Sequence, residues 1–125
     1  MMKITKMAFL LLPLVLVSCS RDKKQIAESW VVERVMIAGA NVTSEYTMNN
    51  YTETYSGGDN YSFSGDPAGK SGSGKYNWDG KTTIKRHGVT NQESMTLTVT
   101  KLTSDEFEYR TLVNGAEAEF KLRKK

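Results

Sequence analysis

The last third of the chain alternates between apolar and polar residues. Met95, Leu97 and Val99 interleave with Thr96, Thr98 and Thr100; Phe107 and Tyr109 with Glu106, Glu108 and Arg110; Ala118, Phe120 and Leu122 with Glu117, Glu119 and Lys121. A period of two puts successive side chains on opposite faces of an extended chain, so each run reads as a strand with one apolar face. Thr103–Asp105 and Asn114-Gly115 join the three runs. Asn-Gly suits a two-residue type I′ hairpin, because both positions need positive φ. Strands joined this tightly are neighbours in one antiparallel sheet.

The same punctuation runs upstream. Trp30–Ile37, Tyr51–Ser56, Tyr61–Ser64, Gly74–Asp79 and Lys81–His87 read as five further strands, and the first of the alternating runs extends over Glu93–Leu102. Turns rich in Gly, Asp and Asn separate them. Val42–Asn50 is polar and irregular, with a helical turn expected near Thr43 or Ser44. The sum is an all-β fold: a small eight-stranded antiparallel up-and-down barrel over residues 26–125. Closure removes exposed strand edges. A seven- or eight-stranded sandwich is the alternative, but it needs long Greek-key crossings, and few segments here could supply them.

The N-terminus is of another kind. Lys3 and Lys6 precede an apolar stretch, Met7–Val17, of 11 residues. As a helix it would reach about 16 Å, short of a bilayer core of about 30 Å. A basic start, a short apolar stretch and a small residue mark residues 1–18 as a cleaved signal peptide. Leu16-Val17-Ser18-Cys19 resembles the bacterial lipobox. That resemblance implies acylation of Cys19, with palmitate-type chains, as the first residue of the mature protein. Cys19 is the single cysteine of the chain. Two or more acyl chains hold a protein stably at a membrane, where one binds marginally. Residues 19–25 are then a polar tether, and Ser20, in place of an aspartate after the cysteine, points to the outer membrane of the cell envelope.

Charge and chemistry exclude several functions. The chain carries 17 basic and 14 acidic residues; without Lys3 and Lys6 this becomes 15 against 14, or +1. No basic patch argues for nucleic acid, and Arg123-Lys124-Lys125 is a short solvated tail. His87 is the sole histidine, so a zinc site has too few ligands. No Gly-x-Ser-x-Gly elbow occurs. The glycine-rich segments lead into strands, where a phosphate loop leads into a helix. Glu106, Glu108, Glu117 and Glu119 fall on solvated faces, where Arg110 and Lys121 can pair with them across strands. The expectation is a protein with no catalytic residues, no metal and no cofactor, hence no enzyme.

Trp30 heading the first strand, Gly74-Lys75-Tyr76-Asn77-Trp78, the Leu102–Phe107 hairpin and Asn114-Gly115 before the last strand form a pattern. It resembles the lipocalin-like lipoproteins of Bacteroidetes-type bacteria, in the calycin superfamily, over residues 26–123. The resemblance implies a binding module that takes a small apolar ligand at the barrel mouth. The alternative is a protein-interaction module, such as a protease inhibitor or envelope accessory factor. Glu28 stands where lipocalins carry glycine two residues before the tryptophan, and the chain is shorter than ligand-carrying lipocalins; both argue against a large chalice. The resemblance also implies an arginine packed on Trp30, with Arg123 the first candidate and Arg110 the second.

Alternation turns Trp30, Tyr55, Tyr61, Phe63, Tyr76, Trp78, Phe107, Tyr109 and Phe120 inward, nine of the twelve aromatic residues. Phe63, Tyr76 and Trp78 should be buried with Leu97, Val99 and Phe120. An eight-stranded interior is just wide enough to be filled by side chains or to hold one small ligand, and so many rings favour filling. Tyr55, Tyr61, Tyr76 and Tyr109 are the ligand-contact candidates.

Overall fold

The computed structural model describes residues 23–125; the expected signal peptide over 1–18, the expected acylation site Cys19 and most of the expected tether over 19–25 lie outside the described residues. The strands are β1 (Ser29–Ile37), β2 (Ala40–Asn41), β3 (Thr52–Ser56), β4 (Asn60–Ser64), β5 (Gly72–Trp78), β6 (Thr83–His87), β7 (Met95–Leu102), β8 (Glu106–Val113) and β9 (Ala116–Lys124). A short helix, α1 (Thr43–Thr47), follows β2. From β3 to β9 each strand pairs antiparallel with the next; β1 pairs with both β3 and β9 and closes the sheet. Eight strands thus form an up-and-down barrel, and the sandwich is excluded. The two-residue β2 folds back on the end of β1 and lies outside the closure. Asn114 and Gly115 take φ of 50° and 82° at the β8–β9 turn, as the Asn-Gly pair requires.

The antiparallel course fixes two ends. One end carries the chain entry at residues 23–28 and the turns after β3, β5 and β7. A helical turn at 23–25 closes it. Ile26 is buried there, its carbonyl accepts the Trp30 indole N–H at 3.0 Å, and Glu28 O accepts the Tyr55 amide. The other end carries α1, the β4–β5 and β6–β7 loops and the β8–β9 turn.

The interior is aromatic. Trp30, Tyr55, Tyr61, Phe63, Tyr76, Phe107, Tyr109 and Phe120 are buried as the alternation requires. Trp78 and Val99 depart from the expectation: both are only partly buried against the core. Trp78 is the last residue of β5, at the chain-entry end, with Lys23 Nζ 5.6 Å over its ring. Val99 sits at a β7 bulge between Val99 and Lys101, after which Leu102 turns inward. A bulge adds one unpaired residue and so reverses which residues face in. A second bulge, between Val32 and Arg34, lets both Val32 and Val35 face inward. The arginine expected on Trp30 is not Arg123 or Arg110. Both are exposed on the outer face, Arg123 across from Val31 and Arg110 across from Glu119, while Trp30 is wholly buried against Phe107.

Candidate functional site

Two charges lie inside this barrel. Glu53 on β3 is 0% exposed and Arg86 on β6 is 1% exposed. Both are in phase with inward neighbours: Glu53 sits between Tyr51 and Tyr55, and Arg86 lies two residues after Ile84. Arg86 Nη1 is 3.2 Å from Glu53 Oε1. Burying a charge without a partner is costly, and the surrounding residues supply partners. Tyr51 donates its hydroxyl to Glu53 Oε2 at 2.7 Å, Tyr55 donates to Oε1 at 2.9 Å, and Tyr109 donates to Oε2. Arg86 donates to Tyr55 Oη at 3.1 Å and to Met95 Sδ at 3.0 Å. Its guanidinium carbon lies 4.3 Å from the centre of the Tyr61 ring, within reach of a cation–π attraction.

The network holds its protons tightly. Burial pushes the Tyr51, Tyr55 and Tyr109 hydroxyls well above the ordinary phenol range, and the Glu53 charge adds to it. Tyr61 is raised too, burial outweighing the nearby Arg86 charge. For Arg86 burial works against the charge, but Tyr55, Tyr61 and Glu53 outweigh it and carry the group above its ordinary value. The centre of the barrel is therefore a filled ionic plug of neutral tyrosines around an ion pair.

Above the plug, the end opposite the chain entry is open. A cavity of 390 Å³ lies between α1, the β4–β5 and β6–β7 loops and the β8–β9 turn. Tyr46, Tyr51, Phe120 and Met95 give it apolar walls, and Arg86 and Gln92 bring polar atoms to it. The volume is within the range of small-ligand sites. Volume alone does not single it out, because depressions of 420 and 470 Å³ lie on the outer sheet, lined by side chains such as Lys75 and Glu117. The mouth differs in its unspent hydrogen bonds. Arg86 Nε and Gln92 Oε1 on its lining, and Tyr61 Oη just beneath, are buried without a partner; among the described residues Gln25 Oε1, at the chain-entry end, is the other such side-chain atom. The Tyr61 hydroxyl faces Tyr51 and Gln92 but makes no well-formed hydrogen bond to either. Buried polar atoms are normally paired, so each such exception needs an explanation.

The four tyrosines read from the sequence as ligand contacts do not line this cavity. Tyr55, Tyr61 and Tyr109 belong to the plug beneath it, and Tyr76 donates to Ser56 O at 3.1 Å near the β3–β4 turn, toward the other end. Tyr46 and Tyr51 line it instead. Tyr46 belongs to α1, where no alternation marks an inward face; it packs edge-on against Tyr51 and Phe120. His87 is exposed at the end of β6, with Nε2 3.1 Å from Asn77 Oδ1. The register sets Glu108 opposite Lys121 and Glu119 opposite Arg110 on the outer face. Among the described residues, no three His, Cys, Asp or Glu side chains converge as a metal site would need. Comparison with protein-family models and with curated proteins returned no match.

Proposed function

We propose that this chain is a lipid-anchored, lipocalin-like binding module of the cell envelope that takes a small amphipathic ligand at the barrel mouth. The observation that carries the ligand reading is the 390 Å³ cavity over a floor with unpaired polar atoms. The sequence-based expectation of a small apolar ligand is refined by that floor: the walls suit an apolar body, and Arg86 and Gln92 suit a polar end. Binding rather than catalysis fits a site whose ion pair is enclosed by tyrosines that keep their protons. The anchor is Cys19, with the outer membrane as its site, and the lipobox-like tetrapeptide supports this. The interaction-module reading draws on the filled barrel centre and on Met48 and Leu112, 74% and 56% exposed.

Backbone amide NMR of the full chain in detergent micelles separates the two readings. Indole is the probe, small enough for the cavity. Shifts confined to Asp66–Ala68, Asn91–Glu93 and Val113–Asn114 are expected. Absence of saturable shifts at those loops would overturn the ligand reading.

A further inference from the structure

We infer that the mouth selects ligands bearing an uncharged carboxamide-type group, read by Arg86 Nε and Gln92 Oε1, on a flat apolar body. The inference rests on the ligand reading above and specifies its chemistry. Three observations lead to it. First, two residues of the cavity lining hold buried polar atoms without a partner, the Arg86 Nε–H as donor and Gln92 Oε1 as acceptor, and behind the lining the Tyr61 hydroxyl can act as either. The complementary group needs an acceptor and a donor side by side. A carboxamide or lactam has both; a carboxylate has no proton for Gln92, and an ammonium has no acceptor for Arg86.

Second, the charge of Arg86 is already matched. Glu53 lies 3.2 Å away and both groups are almost fully buried. A bound anion would have to compete with Glu53 for a guanidinium that already spends its Nη groups on Glu53, Tyr55 and Met95. The cavity lining also contains Asp66 and Glu93 and no cation besides Arg86, so its net charge disfavours an anion further. Third, the walls near this floor are aromatic. Tyr46 and Phe120 meet edge to face at 5.4 Å between centroids, and both line the cavity. A planar ring can stack or pack edge-on there.

The test uses four fragments sharing one ring: benzamide, benzoate, benzylamine and toluene. Each is titrated into the full chain in detergent micelles. The readouts are the mouth-loop amides, the Arg86 Nε–H resonance and the Gln92 side-chain amide. Benzamide is expected to bind about tenfold more tightly than each of the others, the effect of one well-placed hydrogen-bonded pair, and to move the Arg86 and Gln92 signals. Gln92→Leu should lose about tenfold in benzamide affinity and leave toluene unaffected. Tyr61→Phe serves as a second variant, removing a hydroxyl that has no partner in the fold. It should keep the thermal midpoint and weaken benzamide binding. Benzoate binding as tightly as benzamide, or unchanged benzamide affinity in both variants, overturns the inference; in the latter case the free atoms serve a buried water. Toluene matching benzamide overturns the inference while the ligand reading stands. If none of the four binds at the mouth, both fall.

Discussion

Glu53 accepts from three tyrosine hydroxyls and faces Arg86, so its loss strands several donors at once. Glu53→Ala should destabilise the barrel by about 3–5 kcal/mol, the range for breaking a buried ion pair from one side. That is a large share of a total of about 5–15 kcal/mol. Replacing both partners, Glu53→Leu with Arg86→Met, would be neutral or stabilising for an ion pair with no other contacts. Here the Tyr51, Tyr55 and Tyr109 hydroxyls would remain buried without an acceptor, at about 1–3 kcal/mol each. The double variant should therefore stay well below the parent in urea denaturation; parity would mean that the hydroxyl network contributes nothing. The same hydroxyls set the alkaline limit. Burial raises Tyr51, Tyr55, Tyr61 and Tyr109 above the ordinary value, while in the unfolded chain tyrosine ionises near pH ~10. Above that pH the unfolded state has released protons that the folded state still holds. Stability is thus full below pH ~10 and falls as pH rises toward the folded values, by up to about 1.4 kcal/mol per pH unit for each tyrosine. Urea midpoints taken from about pH 9 to about pH 12 should show this decline, shallower by one proton in Tyr61→Phe. Midpoints unchanged across that range would contradict it.

The β6–β7 loop that carries Gln92 is held by β5, and two glycines of β5 make room for it. A Cβ on Gly72 would sit 1.9 Å from Thr90 O, and one on Gly74 would sit 2.7 Å from Gly88 O. The close approach lets Thr90 N donate to Ser73 O at 3.1 Å and Asn91 Nδ2 donate to Ser71 O at 2.9 Å. Gly72→Ala should lift the loop, cost about 1–3 kcal/mol as overpacking does, and speed hydrogen exchange at the Thr90 amide. Gly57→Ala, with open space around it, is the control expected within about 0.5 kcal/mol of the parent. Exchange at Thr90 unchanged by Gly72→Ala would show that β5 does not hold the loop. At this scale much of the structure was legible in the sequence. The eight barrel strands and the Asn114-Gly115 turn follow from period-two alternation and turn chemistry, which are local properties. The bulges in β1 and β7 were not legible, because a one-residue slip in pairing leaves no mark on composition; Val99 and Leu102 turn about it. The plug was missed. Glu53 is in inward phase between Tyr51 and Tyr55, and Arg86 is in phase with Ile84, the signal that could have marked them, yet each reads as an outlier until the barrel brings β3 and β6 face to face. The mouth was hidden for a related reason: α1 and three loops assemble it, and loop packing has no periodicity to read.

Closure of the sheet gives the whole molecule a direction. The chain enters at one end, where Ile26 is buried after the turn at 23–25, Glu28 O accepts the Tyr55 amide and Lys124 N donates to Asp105 O of the β7–β8 turn. The mouth is at the other end. Under the proposed anchor, a lipid on Cys19 is four residues ahead of Lys23, so the closed end is tethered next to the bilayer and the mouth faces the aqueous side. A ligand would then be exchanged with the aqueous compartment and not drawn from the membrane below. Two measurements check this. In fractionated cells, Cys19→Ala should move the protein from the membrane to the soluble fraction; continued membrane partition would remove the anchor. In nanodiscs containing a headgroup-spin-labelled lipid, the lipidated chain should show paramagnetic broadening first at the turns 57–59, 79–82 and 103–105. The loops around Asp66, Gln92 and Asn114 should broaden least, because each antiparallel strand carries the backbone the full length of the barrel away from the tethered end. Strongest broadening at those three loops would reverse the orientation, placing the mouth on the bilayer and making the membrane itself the source of the ligand.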